Sequence, residues 1–504
     1  MICKSAVWDE TPHFGIGEYL LKNFRWDVPG SILHPPLSFY LHGIPFLFCN
    51  GDYQNVWDYN PDTKRDIQFL GNADFFRGQA LLSSVLNDRD KLLNLSRGMM
   101  ILVTLLLGYF VYVWSYSLFG TRSAILALLF FAFSPNLLAH ARLITPDITI
   151  TTFFFIASYF FWRSLHSFSR KTSIVGGLFF GLALLSKYTG LLLFLIYPIL
   201  AVLWRFKGRT LSMKNCLLFF AVGLFVLLLG YGFNMKPYIQ GIIFQLQHAE
   251  KGHSAFLCGK YSTSGWWYYF IVAFLLKTPI PTLILFVSSL FWFIKNREQN
   301  KWVDELFLLI PIGVVFCFFS IKHQSIGLRY ILPIYPFIFV FLSKIATVNT
   351  TRPTLFKAVF SLAILWYIFG SLYIYPHYLS YFNEFAQGPN NGYKYLVDSN
   401  LDSGQDLKGL KEYMTQNNIE RINLSYFGSD SPERYGIQYD WLPSFYLKNP
   451  TPEKNIFFPL KGLIAISATN LQGSYFEDKD IYAWLKKYKP IAKIGYSIFV
   501  YDIR

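Results

Sequence analysis

Between residues 91 and 377 the only acidic side chains are Asp147, Glu250, Glu298, Asp304 and Glu305. Asp147 stands at the mouth of a pair of apolar runs with Arg142 five residues before it. An ionisable group in such a place is a functional candidate by default. A carboxylate that merely opens a helix after Pro146, against the positive end of the helix dipole, would read the same way. The second acidic place is Trp8-Asp9-Glu10-Thr11-Pro12-His13, just ahead of what reads as an outer-face helix. Adjacent carboxylates on a helix cannot face one point, so one can act while the other caps or orients; a surface N-cap explains the pair as well. Asp398, Asp402 and Asp406, spaced by four, form a carboxylate ladder that calcium or a sugar could use, or turn and cap chemistry around Asn400 and Gly404. His248 with His253 is not a recognised metal-ligand spacing. No metal site is therefore expected.

The elements that must position these residues are set by composition. The 504 residues are 53% hydrophobic, 20% aromatic and 15% charged, with a mean hydropathy of +0.33. That excludes a soluble globular chain, a disordered one and a coiled coil, and asks for lipid as solvent. Residues 1–377 carry 31 Lys and Arg against 16 Asp and Glu, whereas residues 378–504 carry 14 of each, so the net +15 belongs to the apolar part. Basic loops between membrane helices account for this, and nucleic-acid binding need not be invoked.

Apolar runs fall near 99–119, 124–138, 149–163, 174–186, 189–204, 215–233, 267–292, 304–320, 331–346 and 356–376, which predicts a membrane domain of about ten helices over 99–377. Alternate breaks hold 14 basic residues, from Arg122 through Arg163, Arg170, Arg205, Arg209, Lys295, Arg297, Lys301, Lys344 and Arg352 to Lys357; the other set holds seven, so the first set is assigned to the cytoplasm. Residues 174–204 are apolar except for Lys187, yet both flanks are basic, which requires two crossings and a turn at Lys187-Tyr188-Thr189-Gly190. Residues 1–98 and 378–504 then share the extracytoplasmic face. The first 98 residues lack the pattern of a signal peptide and read as an extracytoplasmic catalytic loop whose first transmembrane helix is missing. Within them, residues 31–49 are apolar but contain His34, Pro35, Pro36 and His42, which suits an interfacial helix better than a span. Loop 234–266 reads as a lid or a solvated loop ending at the interfacial pair Trp266-Trp267. The five cysteines form no framework, although Cys49 and Cys258 could pair in an oxidising compartment. After residue 377, alternating runs at 422–427, 463–468 and 496–501 predict strands, and 407–417 and 480–488 carry helical periodicity, giving a small α/β domain over 378–504.

Several segments, taken in order, resemble the GT-C superfamily of membrane glycosyltransferases. They are Trp8-Asp9-Glu10-x-x-His13, His34-Pro-Pro-Leu37, His140-Ala-Arg142-Leu-Ile-Thr-Pro-Asp147, Lys187-Tyr-Thr and Gly327-Leu-Arg-Tyr-Ile-Leu-Pro333. The nearest branch holds protein O-mannosyltransferases and the lipid A aminoarabinose transferase. Tyr378-Leu-Ser-Tyr-Phe-Asn-Glu384, Tyr395-Leu-Val-Asp-Ser-Asn-Leu-Asp402 and Ile466-Ser-Ala-Thr-Asn-Leu-Gln-Gly473 are similar to a bacterial subgroup that depends on a phospholipid carrier. Two features depart from the pattern: the family has a membrane helix before the Asp-Glu loop, and the subgroup has Trp where Ser403 stands here.

The resemblance implies an all-α multi-pass GT-C fold with a small C-terminal extracytoplasmic α/β domain, in a bacterial plasma membrane. It implies transfer of a sugar from a polyprenyl-phosphate carrier to a hydroxyl on a lipid, protein or polysaccharide, with no cofactor. Within it Asp9 is the expected base, Glu10 the orienting acid, and Asp147 the group that holds Arg142 or the acceptor. Arg142, Lys187, Arg329 and His34 are expected around the donor phosphate, Arg supplying forked contacts and Lys a point charge. Related members have Lys in place of His34. For Lys187 the competing reading is a side chain that snorkels to the interface, and for Arg329 a contact to lipid headgroups. Inversion at the anomeric carbon is expected, because retention would want a second carboxylate within about 5.5 Å. The alternatives are a flippase of lipid-linked sugars, which should carry its polar groups at mid-membrane in broken helices, and an inactive glycan-binding relative.

Overall fold

The computed structural model describes residues 3–23, 32–49, 78, 81–82, 88–295, 302–321, 325–348, 353–445 and 459–504. Arg297, Lys301, Arg352 and Glu298 lie outside the described residues, as does much of the 1–98 segment.

Each of the ten apolar runs is helical. The first, Arg89–Phe119, starts on Asp88, whose carboxylate accepts from the Lys91 backbone N–H, and ends at Gly120. Gly120 adopts φ +85, a conformation that costs glycine little, and the chain turns there directly into Thr121–Ala132. Among the described residues six helices are long and apolar enough to cross a membrane, including Pro146–Ser167, Tyr188–Phe206, Met213–Gly230 and Pro353–Tyr373. A seventh crossing is supplied by Tyr269–Lys277 and Ile280–Lys295 if that pair, bent by 114°, is one span. Shorter apolar helices occupy Leu37–Leu47, Thr121–Ala132 and Ile334–Thr347. Side chains such as Leu362 and Phe369, exposed on Pro353–Tyr373, face where lipid would lie. The chain is an integral, multi-pass membrane protein.

The turn expected at Lys187 is present. Arg170–Ser186 stops at Lys187, which is extended, and the chain re-enters through a short 3₁₀ turn, Tyr188–Leu192. A Cβ placed on Gly190 would come within 2.6 Å of the Ala183 carbonyl oxygen. In a continuous helix residues seven apart are about 10 Å distant along the axis, so the backbone has doubled back. Arg170–Ser186 also packs backbone to backbone on Met213–Gly230, where a Cβ on Gly177 or Gly181 would strike Phe219, Val222 or Gly223.

The two ends of the helices are distinguished by what gathers there. At one end three of the basic breaks meet: Asp304 accepts from Trp162 Nε1 at 2.9 Å and Arg209 Nη1 at 3.2 Å, with His166 Nε2 at 3.0 Å. At the other end the Asp9, Asp147, Lys187 and Arg329 side chains meet beneath the C-terminal domain.

That domain is a five-stranded sheet, β3 (Arg421–Ser425), β4 (Gln438–Trp441), β5 (Gly462–Ser467), β6 (Ala492–Ile494) and β7 (Ile498–Ile503), in the order β4-β3-β5-β7-β6. β3 runs parallel to both neighbours, and β7 is antiparallel to β5 and β6. Leu407–Gln416 turns Leu407, Leu410 and Met414 onto the sheet, a helical stripe meeting Ile422, Leu424 and Val500. Loop 234–266 proves to be the helix Lys236–Lys251 followed by a hairpin of β1 (Ala255–Leu257) and β2 (Lys260–Ser262). Cys258 is a free thiol, so the pairing with Cys49 is not formed.

Candidate active site

Two loops from opposite halves of the sequence are fixed by one segment of the C-terminal domain, residues 398–406. The loop before Glu10–Asn23 docks on it through Ser5 N–H to the Gln405 carbonyl at 3.0 Å and Trp8 N–H to the Ser403 carbonyl at 2.8 Å. The loop carrying Arg329 docks through Leu328 N–H to Asn400 Oδ1 at 2.9 Å. Asn400 is itself held by its Nδ2 donating to Tyr269 Oη at 2.9 Å, and its carbonyl accepts from the buried Lys277 ammonium. Ser429 adds a further clamp, its Oγ 2.7 Å from Thr11 Oγ1. These bonds explain why a soluble-looking domain carries distinctive sequence: it sets the geometry of a site otherwise built by membrane helices and their loops.

At that site Asp147, in the first turn of Pro146–Ser167, accepts from Lys187 Nζ at 2.7 Å, and Arg329 Nη1 lies 3.9 Å from its other oxygen. Arg329 pairs directly with Asp9, and among the described residues it is the one side chain bonded to that carboxylate. The Lys187 ammonium sits 4.7 Å from the Tyr330 ring centroid, and the Arg329 guanidinium 5.8 Å. Burial raises the Asp9 carboxyl, but the opposed charge and hydrogen bond of Arg329 outweigh it and hold Asp9 below its ordinary range. His13 Nδ1 lies 2.8 Å from the Ile144 carbonyl and so carries the ring proton; burial keeps the ring neutral despite Asp9.

Asp9, Lys187, Arg329 and Tyr330 line a cavity of about 550 Å³. With His34 they supply a polar part of its lining, and Leu191, Leu192, Leu195, Ile242, Phe318 and Phe319 supply an apolar part. Lys236–Lys251 is one wall of this cavity, fastened by Gln245 Nε2 donating to the Leu33 carbonyl at 2.8 Å. An anionic head carried on an apolar tail fits such a lining.

Four of the seven candidates named in the sequence thus converge with a fifth at the margin: Asp9, Asp147, Lys187 and Arg329, and His34 beside them. His34 is pushed well below its ordinary range by burial and by the His13 and Lys187 neighbours, so it is neutral and offers a hydrogen bond rather than a charge. Its Nδ1 has no partner among the described residues.

Two candidates belong elsewhere. Glu10 is fully buried and accepts from Arg97 Nε at 2.9 Å, Arg97 Nη2 at 2.5 Å, Val7 N–H at 3.0 Å and Ile144 N–H at 3.2 Å. Those four donors fill a carboxylate's capacity, and they tie Glu10 to the loop that carries Asp9 through Val7 and to Arg97 and Ile144. Arg142 does not meet Asp147. Its charged neighbours are Arg97, Glu10 and Asp406, and it does not line the cavity. Asp147 has Lys187 and Arg329 as its cations instead. The aspartate ladder also separates. Asp406 pairs with Lys4 and accepts from Ser497 Oγ, while Asp402 accepts from Thr469 N–H and is pushed up to about 8, burial being the leading cause. Only Asp398 reaches the cavity. Among the described residues no group of three His, Cys, Asp or Glu side chains is placed to hold a metal ion.

Sequence reasoning missed Tyr330, Gln245, Phe427 and Tyr475 as lining residues, whereas Asp398 was named in the carboxylate ladder and His253 in the loop read as a lid. Tyr330 had a signal in its position beside Arg329 in Gly327-Leu-Arg-Tyr330, but Gln245, Phe427 and Tyr475 are brought in by tertiary packing and had none.

Residues 95–231 match a family model described as dolichyl-phosphate-mannose-protein mannosyltransferase. ArnT from Cupriavidus metallidurans bound to undecaprenyl phosphate superposes with a TM-score of 0.50 at 12% identity, over 99% of this chain and 94% of that one. Its apo form gives the same values. The Archaeoglobus fulgidus oligosaccharyltransferase in the apo form matches at a TM-score of 0.44 and 13% identity, over 91% of this chain and 58% of that one. No curated protein matches the sequence. The chain shares its fold with ArnT, and residues 95–231, just over a quarter of its length, match the mannosyltransferase family model.

Proposed function

We propose that the chain is an inverting glycosyltransferase that moves a sugar from a polyprenyl-phosphate carrier to a hydroxyl acceptor on the extracytoplasmic face. The observation that carries this reading is a single cavity whose lining joins an apolar part to two cations and a carboxylate. The isoprenoid tail lies along Leu191, Leu195 and Phe318, and the phosphate sits between Lys187 and Arg329. The N–H of neutral His34 is a further donor to the head.

In the empty site Arg329 neutralises Asp9. A bound phosphate competes for that guanidinium, and as it does so the proton affinity of Asp9 rises toward what burial alone would give. Binding of the donor therefore prepares the base. The acceptor oxygen attacks the anomeric carbon and its proton passes to Asp9. The bond from that carbon to the phosphate oxygen breaks, and its electron pair leaves with the phosphate. The phosphodiester's single charge becomes two on the departing phosphate while Asp9 loses one, and Lys187 and Arg329 stabilise the charge where it develops. Asp147, tied to both cations, keeps them in place. Because the cations do this work, no divalent metal is required, and a chelator leaves the rate unchanged.

The flippase alternative is disfavoured by placement, since Asp9, Asp147, Lys187 and Arg329 gather at one end of the helices rather than midway along them. The reading is tested by incubating purified protein with short-chain polyprenyl-phosphate sugars and following polyprenyl phosphate by mass spectrometry and the product anomer by NMR. Release with inverted configuration is expected. Release with retained configuration overturns the mechanism, and no release from any donor overturns the transferase reading.

A further inference from the structure

Part of the cavity wall is not made by membrane helices. It consists of Asp398, Phe427 and Tyr475 from the C-terminal domain and His253 from the segment leading into the β1–β2 hairpin. Phe427 stacks on Tyr475 with ring centroids 5.4 Å apart and planes 20° off parallel, and Tyr475 stacks on Phe445 at 4.5 Å and 29°. The result is a stack of three rings, of which Phe427 and Tyr475 line the cavity beside a carboxylate, none of it needed to hold a phosphate or an isoprenoid tail.

The carboxylate is held for use. Asp398 has φ +57, a conformation side chains other than glycine rarely adopt, and it is fixed by its N–H donating to Thr469 Oγ1 at 3.1 Å. Its Oδ1 accepts from the Ser399 N–H at 2.5 Å and its Oδ2 from the Tyr475 hydroxyl. A carboxylate has about four lone-pair sites. Two remain for other donors, on a group that lines the cavity. His253 stands edge-on to Tyr475 with ring centroids 5.4 Å apart, adding a polar edge beside the stack. An aromatic face carries negative charge density and attracts the positive C–H face of a sugar ring. An oriented carboxylate takes two vicinal hydroxyls. This pairing of a flat apolar face with paired acceptors selects a pyranose and offers nothing to a fatty acyl chain.

We propose that Asp398, Phe427 and Tyr475 form a pyranose-binding wall in the cavity that Asp9 lines, through which the C-terminal domain selects the sugar that reacts. This rests on the transferase reading for its place in the reaction, but the wall can be tested without turnover. The ring it holds belongs either to the acceptor, a saccharide, or to the donor's own sugar, and the chemistry is the same.

The test uses the full chain in nanodiscs and a panel of methyl pyranosides and disaccharides, with binding read by saturation-transfer NMR and calorimetry. At least one ligand is expected to bind, and Asp398→Asn and Tyr475→Ala are each expected to weaken it by about tenfold or more. Tyr475→Phe, which removes only the hydroxyl that holds Asp398, gives a smaller loss. Turnover then assigns the ring: a raised KM for the saccharide in Asp398→Asn marks the acceptor, and a raised KM for the lipid-linked donor marks the donor sugar. Sugar binding that depends on Asp398, in a protein that releases no polyprenyl phosphate, keeps the wall and discards the transferase reading. Absence of binding across the panel, or binding indifferent to Asp398→Asn and Tyr475→Ala, overturns the wall.

Discussion

Asp9 and Glu10 are neighbours in sequence, yet they belong to two charge clusters that the fold treats in opposite ways. The Glu10 cluster is closed: Glu10 and Arg97 are essentially without solvent contact, and Glu10 meets four donors, two of them backbone amides. The Asp9 cluster is open: Asp9 and Arg329 keep about a fifth of their side-chain surface, 21% and 19%, and both line a cavity. Both clusters pair carboxylates with arginine, so pairing alone does not identify a reactive site. What distinguishes them is unspent hydrogen-bonding capacity beside space for a ligand.

The largest test of this contrast is Asp9→Asn. Loss of a general base costs about 10²–10⁴ in rate. Because the Asp9–Arg329 pair is partly exposed, its removal should alter stability by no more than about 1 kcal/mol. A rate in Asp9→Asn within threefold of wild type, measured by polyprenyl phosphate release, removes Asp9 from the mechanism.

Glu10→Gln should show the opposite profile. Leaving Arg97 without its buried partner is expected to cost about 3–5 kcal/mol, seen as a lowered melting temperature in detergent. Turnover per folded molecule should fall far less than in Asp9→Asn. Equal stability losses in the two variants would erase the distinction between the clusters.

A finer effect concerns pH. Asp9 must be ionised to accept a proton, so the rate falls as pH drops through its pKa. Arg329 holds that pKa below the ordinary carboxylate range, which places the acidic limb of kcat/KM low. In Arg329→Gln burial is left to dominate, and the limb of the residual activity should move to higher pH. A limb that stays put, or moves to lower pH, shows that Arg329 does not govern Asp9.

Much of this organisation was legible in the chain and some was not, for identifiable reasons. Apolar runs report helices well because lipid demands them, and the turn at Lys187 followed from the flanking charges. The break between Tyr269–Lys277 and Ile280–Lys295 was read through as one span, although Pro279 and Pro281 signal it. The helix Lys236–Lys251 was read as a loop because its polar residues interrupt the apolar stripe by which helices are recognised. β4 and β6 went unseen because runs of four and three residues carry too little alternation. Arg142 was misplaced by proximity: five residues from Asp147 in sequence, it turns toward the closed cluster, while the cations of Asp147 come from positions 187 and 329. Pattern carries local structure, but which cation meets which carboxylate is decided by tertiary packing.

The most direct measurement of the central claim is the affinity of a short-chain polyprenyl phosphate for the folded protein and for two variants, Lys187→Met and Arg142→Met, by calorimetry in nanodiscs. A charge-assisted hydrogen bond contributes about 1.5–3 kcal/mol, which is about tenfold or more in Kd. The account predicts that Lys187→Met weakens binding by at least that factor and that Arg142→Met leaves it within about twofold of wild type. Binding that survives Lys187→Met and is lost in Arg142→Met would place the phosphate at the closed cluster and contradict the account.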